Sequence, residues 1–211
     1  MKIQSRLISK AMAALLLMFV SIACSSQAQV LFESSLNTKL EGIFSNDKGQ
    51  QVAARFPPTK IGETTHVTWY GYWSTPQVEV QQQAVTEAEF KIRFFSDSSG
   101  APAATPLFDM TVKAKAQATQ QRLGLPKESV HNGRVIFRYD ADVPSGVPLD
   151  AAKPFWLSIS ASGIGQWLWA KSAVDSSSLK YRNSRKGLQW NERAVPGQTA
   201  FTIEGKLSGD K

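Results

Sequence analysis

Phe90-Lys91-Ile92-Arg93-Phe94 alternates apolar and cationic side chains without a break. An extended chain would place Phe90, Ile92 and Phe94 on one face and Lys91 and Arg93 on the other. In the same way Phe155, Leu157 and Ile159 alternate with Trp156, Ser158 and Ser160. Val135, Phe137 and Tyr139 alternate with Arg134 and Arg138, although Ile136 interrupts the polar side, and Phe201 and Ile203 repeat the pattern further on. Strands are also predicted over about 51–56, 64–73, 107–115 and 167–171.

Turn clusters separate these segments: Phe56-Pro57-Pro58, Ser96-Asp97-Ser98-Ser99-Gly100, Val143-Pro144-Ser145-Gly146-Val147-Pro148 and Ala194-Val195-Pro196-Gly197. Proline presets one turn dihedral and glycine permits positive ones, so each cluster is suited to redirecting the chain. Helical periodicity is nearly absent, and only 112–121, with its Ala and Gln content, offers a helical alternative. Eight or more short strands with turns at near-regular spacing predict an all-β fold, a single antiparallel β-sandwich of jelly-roll type over residues 29–211. The sequence shows neither an internal repeat nor a linker long enough to separate two domains.

The first 28 residues differ in kind. Lys2, Arg6 and Lys10 form a basic start with no acidic residue before Glu33, and an apolar stretch runs from Ala11 to Ala23. Ser26-Gln27-Ala28 then offers small residues where a signal peptidase reads them, so 1–28 is expected to be a signal peptide cleaved before Gln29. Ile22-Ala23-Cys24 also resembles a bacterial lipoprotein cleavage site, where Cys24 would become a lipidated first residue, although Ser21 replaces the usual large aliphatic residue. Both routes export the protein to the periplasm or beyond. They differ in whether it stays anchored to the envelope.

Composition narrows the function classes. The 211 residues are 42% hydrophobic and 19% charged, which excludes wholesale disorder. No apolar run reaches the roughly 18 residues of a membrane-spanning helix. A single Cys excludes a disulfide scaffold and a cysteine-based zinc site. The leader carries three of the 24 basic residues, so the 183 residues after it hold 21 against 17 acidic, a net +4 instead of the whole chain's +7.

The runs Gly49-Gln50-Gln51-Val52-Ala53, Val67-Thr68-Trp69-Tyr70-Gly71-Tyr72-Trp73, Phe90 to Asp97 with Gly100 and Pro102, Phe155-Trp156-Leu157-Ser158-Ile159 and Phe201-Thr202-Ile203-Glu204-Gly205 follow one another in order. Together they resemble a broad group of uncharacterised exported bacterial jelly-roll domains, some in proteins with PEP-CTERM sorting tails. Members often carry acidic residues where this chain has Ala54-Arg55. The resemblance implies the fold and the export, and it carries no activity.

Aromatic residues supply the first candidate site. On a strand, Trp69 and Trp73 share one face and Tyr70 and Tyr72 the other, with Gly71 between. A two-layer sandwich buries one face of each sheet, so one pair is expected to approach solvent. Trp156 is a further candidate for exposure, because its neighbours on that face, Ser158 and Ser160, are polar, and Trp190 lies in a loop-rich stretch. Exposed flat rings stack on the apolar face of a pyranose, so Trp69, Tyr70, Tyr72, Trp73, Trp156 and Trp190 are candidate carbohydrate contacts. The competing account is that they are core and edge packing.

Charge supplies the second. Six basic residues lie between Lys113 and Arg138 and six more between Lys171 and Arg193, including Arg182, Arg185 and Lys186. Side by side they would suit an anionic glycan, an envelope surface or a protein partner; apart, they are solvated loops. Tyr181 to Lys186 with Trp190 mixes basic and aromatic residues as nucleic-acid loops do, but it fits no known module and export disfavours such a partner. Asp97 with Gly100 is read as a turn cap and not a calcium loop, and Asp140 and Asp142 as solvated turn residues.

Catalysis finds little footing. His66 and His131 suggest no metal pair, and neither a phosphate loop nor a nucleophile elbow appears. Seventeen acidic residues leave a glycosidase pair unselected. The sequence thus predicts a non-catalytic exported binding domain without a cofactor, directed most readily at extracellular or envelope polysaccharide. The alternative is a structural or protein-interaction component that uses basic loops.

Overall fold

The computed structural model describes residues 28–74, 87–162, 165–173, 178–183, 189–191 and 195–209, with 195 and 196 as backbone. The described residues form strands β1 (Gln29–Ser34), β2 (Ile43–Phe44), β3 (Gln50–Phe56), β4 (Gly62–Trp73), β5 (Glu87–Ser98), β6 (Ala101–Pro102) and β7 (Phe108–Lys115). They continue with β8 (Gln117–Arg122), β9 (Val135–Leu149), β10 (Phe155–Ser162), β11 (Trp167–Trp169), β12 (Ser178–Asn183), β13 (Val195–Pro196) and β14 (Phe201–Leu207). No helix occurs among the described residues. The protein is an all-β, sandwich-like fold of antiparallel sheets.

In the first sheet β4 is central. It pairs with β9 along one edge, while β14 and then β11 follow each other along the other. β1 lies beyond β14, β2 beyond β11 and β8 beyond β9. The second sheet runs β13-β12-β3-β10-β5, and both β6 and β7 pair with β5.

Two expectations need correction. The 112–121 stretch is not helical: it ends β7 in the second sheet and makes β8 in the first, crossing between them at Ala116. The Val143–Pro148 turn is instead part of β9, whose pairing to β4 shifts register between Thr64 and His66. β8 accompanies β9 only along Val135–Arg138, so among the described strands the part holding Pro144 and Pro148 is an edge, where a missing N–H breaks no ladder.

The alternation read from the sequence decides which side chains meet between the sheets. Trp69 from β4 lies edge-on to Phe90 from β5 at 5.1 Å and stacks with Tyr139 from β9 at 5.8 Å. Val52, Phe56, Phe94, Leu157, Ile159, Trp167, Trp169, Phe201 and Ile203 complete the buried layer. Each large aromatic buries roughly 150–250 Å². Position 71 faces this layer but carries no side chain, and the Trp167 indole occupies the space.

Candidate functional site

The second sheet has an outer face with an unusual population. β3 turns Val52, Ala54 and Phe56 into the core, so Gln51, Ala53 and Arg55 point away from it. By the same alternation β10 presents Trp156, Ser158 and Ser160, β5 presents Lys91, Arg93, Phe95 and Asp97, and β12 presents Lys180 and Arg182. Register aligns them: Lys180 lies opposite Ala53, Ala53 opposite Ser158, Ser158 opposite Arg93, and Arg93 opposite Asp109 of β7.

This polar row is covered. Arg93 is 7% exposed, Ser158 1%, Ser160 0% and Arg182 7%. Ala53, Phe95 and Trp156 form a small apolar cluster on the same face, against which the half-buried Trp190 packs. Arg182 reaches across the sheet: its guanidinium lies 4.5 Å from the Trp190 ring centre and 5.8 Å from that of Phe95, on a strand beyond β3 and β10. Its Nε donates to Gln51 Oε1 at 2.8 Å. Burial, and then repulsion from Arg93, hold the Arg182 pKa below its ordinary value, while Asp109 and Asp47 act the other way.

Arg93 is oriented by two carboxylates. Its Nε donates to Asp109 Oδ2 at 3.0 Å and its Nη2 to Asp47 Oδ1 at 3.2 Å. Asp47 reaches this face because residues 45–47 wedge between β3 and β10. Ser45 Oγ donates to the Ile159 carbonyl at 2.6 Å and accepts from Val52 N–H, while Asp47 N–H donates to the Ala161 carbonyl. Arg93 Nη1 has no partner, nor do the buried Ser158 Oγ, Ser160 Oγ and Trp190 Nε1. These are four of the ten such side-chain atoms among the described residues. A buried polar atom left unpaired costs about 1–3 kcal/mol, more when charged, so their concentration on one face calls for a reason.

The aromatic candidates fall differently from expectation. Trp69 and Trp73 face the core, and Trp156 is fully buried together with its serine neighbours. Tyr72 does point outward from the first sheet but is also sealed, by Leu123, Ile136 and Leu168, with its hydroxyl accepting from Gly42 N–H at 2.8 Å. The two-layer premise failed because each sheet carries a local third layer laid on its outer face. Tyr70 and Trp190 alone of the six candidates remain half-buried.

Arg182, expected on a basic surface, is sequestered beneath Trp190. Arg185, Lys186 and Cys24 lie outside the described residues. Sequence reasoning missed Arg93, Ser158, Ser160, Gln51, Asp47 and Asp109 as one group. Their polar alternation was visible, but their adjacency depends on register between distant segments.

At the end of β5 and β10 an open cleft of about 410 Å³ is lined by Ser96, Asp97, Pro148, Asp150, Lys153, Pro154 and Phe155. Asp97 is the turn cap expected, accepting from Gly100 N–H at 3.0 Å, and it also accepts from Trp156 Nε1 at 2.8 Å and Arg55 Nε at 3.1 Å. Burial opposes its ionisation, yet these hydrogen bonds outweigh burial and hold its carboxyl below the usual range. Asp150 is likewise lowered, first by the Ala152 N–H and, against slight burial, by Lys153. Two carboxyls both biased toward ionisation do not divide into an acid and a base.

Asp140 and Asp142 are strand residues of β9, not turn residues. Asp140 lies 3.6 Å from Arg138, and Asp142 Oδ1 lies 2.9 Å from His66 Nδ1. Among the described residues no cluster of three metal-ligating side chains occurs.

Fold and site together define a sandwich-like domain with a covered arginine–serine patch on one outer face. The chain belongs to the family described as a domain of unknown function (DUF7901), whose model matches residues 34–204 and so spans both sheets. No curated protein and no solved structure matches it.

Proposed function

We propose that this is an exported, non-catalytic binding domain that takes a carbohydrate on the outer face of its second sheet. The supporting observation is the pairing, on that face, of an aromatic cluster (Phe95, Trp156, Trp190) with three buried donor atoms that have no partner, Arg93 Nη1, Ser158 Oγ and Ser160 Oγ. Sugar recognition uses both: hydroxyl groups engage directed donors, and the ring face rests on an indole. In this reading the half-buried Trp190, which packs against the cluster, supplies the stacking ring. Export rests on the basic, apolar and small-residue order of the first 28 residues.

Affinity electrophoresis through gels containing a panel of neutral and acidic polysaccharides tests the reading. At least one polysaccharide should retard the protein, and Trp190→Ala should reduce that retardation about tenfold while the protein stays folded. Migration unaffected by every polysaccharide would end the carbohydrate reading.

A further inference from the structure

The donor set is more specific than sugar binding requires. Arg93 is held from two sides by Asp47 and Asp109, which fixes the plane of its guanidinium and leaves Nη1 without a partner. On the adjacent strand, Ser158 lies directly opposite Arg93 in register, and Ser160 sits two residues further along the same face, both with unpartnered hydroxyls. A neutral hydroxyl of a sugar would use one of these donors. A planar carboxylate uses several, since its two oxygens accept about four hydrogen bonds and match the fork of an arginine.

Charge points the same way. Arg55, Lys91, Lys180 and Arg182 accompany Arg93 on this face against Asp47, Asp97 and Asp109, while Glu87 and Glu89 further along β5 lie opposite Lys115 and Lys113 of β7. Arg182 lies close enough to Arg93 to feel its repulsion. Both carboxylates on Arg93 are already shared, Asp47 with Gln51 at 3.1 Å and Asp109 with Lys91 at 4.0 Å. An added anion would relieve the repulsion between the two guanidinium groups in a site where burial strengthens the attraction.

We infer that the ligand is an acidic glycan, with the carboxylate of a uronic acid residue accepting from Arg93 Nη1 and from the hydroxyls of Ser158 and Ser160. This deepens the carbohydrate reading and rests on it. The donors are covered in the ligand-free protein, so binding moves the Arg182–Trp190 stack away from Ala53 and Phe95 and changes the environment of the Trp190 indole.

Oligogalacturonate and alginate oligosaccharides, each beside its carboxyl-reduced counterpart, are titrated into the full processed chain by calorimetry and by tryptophan fluorescence. The expected result is that an acidic oligosaccharide binds and that carboxyl reduction weakens it at least tenfold. Its affinity should fall as salt is raised, and Trp190→Phe should remove most of the fluorescence change. Ser158→Ala with Ser160→Ala should weaken binding several-fold while leaving the melting temperature unchanged or higher, because the hydroxyls removed have no partner in the ligand-free fold. Arg93→Lys, which keeps the charge and loses the fork, should weaken it tenfold or more.

Equal affinity for acidic and reduced forms would overturn the carboxylate proposal and leave the carbohydrate reading standing. Binding to inorganic phosphate or to phosphatidylglycerol vesicles, with no oligosaccharide bound, would overturn both. Full affinity in the double serine variant would assign the patch a purely structural role.

Discussion

Trp156 and Asp97 are joined across the β10–β5 edge: the indole Nε1 donates to Asp97 Oδ1 at 2.8 Å, and the same oxygen accepts from Arg55 Nε at 3.1 Å. The ring expected to meet solvent is therefore tied down at its polar end and buried on its faces. Through Asp97 it is also coupled to the Ser99–Gly100 turn, where Ser99 adopts a φ of 54° and Gly100 of 82°.

That relationship predicts an acid-sensitive contribution to stability. Asp97 has a folded-state pKa below the roughly 3.9 of an unfolded aspartate. Its stabilisation is fully present above that value and disappears as pH falls through the lower folded value. Asp97→Asn should lower the melting temperature at neutral pH, and the two curves should converge as acidification carries the pH through the lowered folded-state value. Thermal melts of both proteins from pH 2 to 7 check this, and parallel curves would disprove the coupling.

Gly71 is required by its neighbour. A Cβ at this position would overlap the indole of Trp167, which is fully buried and pinned between Phe90 and Trp169. Gly71→Ala should cost about 2–3 kcal/mol, the upper part of the range for overpacked cores. Urea denaturation gives the loss, and a changed near-ultraviolet circular dichroism spectrum should accompany it as the indole is displaced.

Tyr72 closes the first sheet's outer layer. Burial is the main cause that pushes its phenol far above its ordinary pKa, with Glu41 adding to the effect and the Gly42 N–H opposing it. Tyr72→Phe leaves that N–H without its acceptor and should cost about 1 kcal/mol in urea denaturation. An alkaline spectrophotometric titration of the folded protein should show Tyr72 resisting ionisation until unfolding exposes it. Titration near pH 10 would mean that the layer is open.

Processing separates the two export routes. Expressed in a bacterium from Met1, the chain should be recovered with Gln29 first if 1–28 is the proposed signal peptide, and intact mass with N-terminal sequencing decides this. A lipid-modified Cys24 at the N-terminus would select the anchored form instead.

Most of the fold is legible in the residue pattern. Phe90, Ile92 and Phe94 face the core, and so do Phe155, Leu157 and Ile159, as their alternation required. The errors arose where alternation is silent. Pro144 and Pro148 suit a turn by type, yet they sit in a strand because, among the described strands, nothing pairs with their outer edge. The 112–121 stretch has helical composition, but β5 and β9 offered it partners in two different sheets.

The candidate site was half legible. Trp156 and Trp190 were singled out, and they do border it, but as parts of a covered cluster and not as an open platform. Arg93 and Ser158 were noted only as polar members of their own strands, and nothing local says that they stand side by side.

Which way a side chain points along a strand is a local property of the backbone, so the class of fold and the two faces of each strand follow from residue order alone. Which outward face stays wet depends on what another part of the chain lays over it. Trp190 over Phe95, Leu123 against Tyr72 and Asp47 beside Arg93 are such meetings between distant segments. No local pattern encodes them, because register and covering arise from the packing of the whole chain.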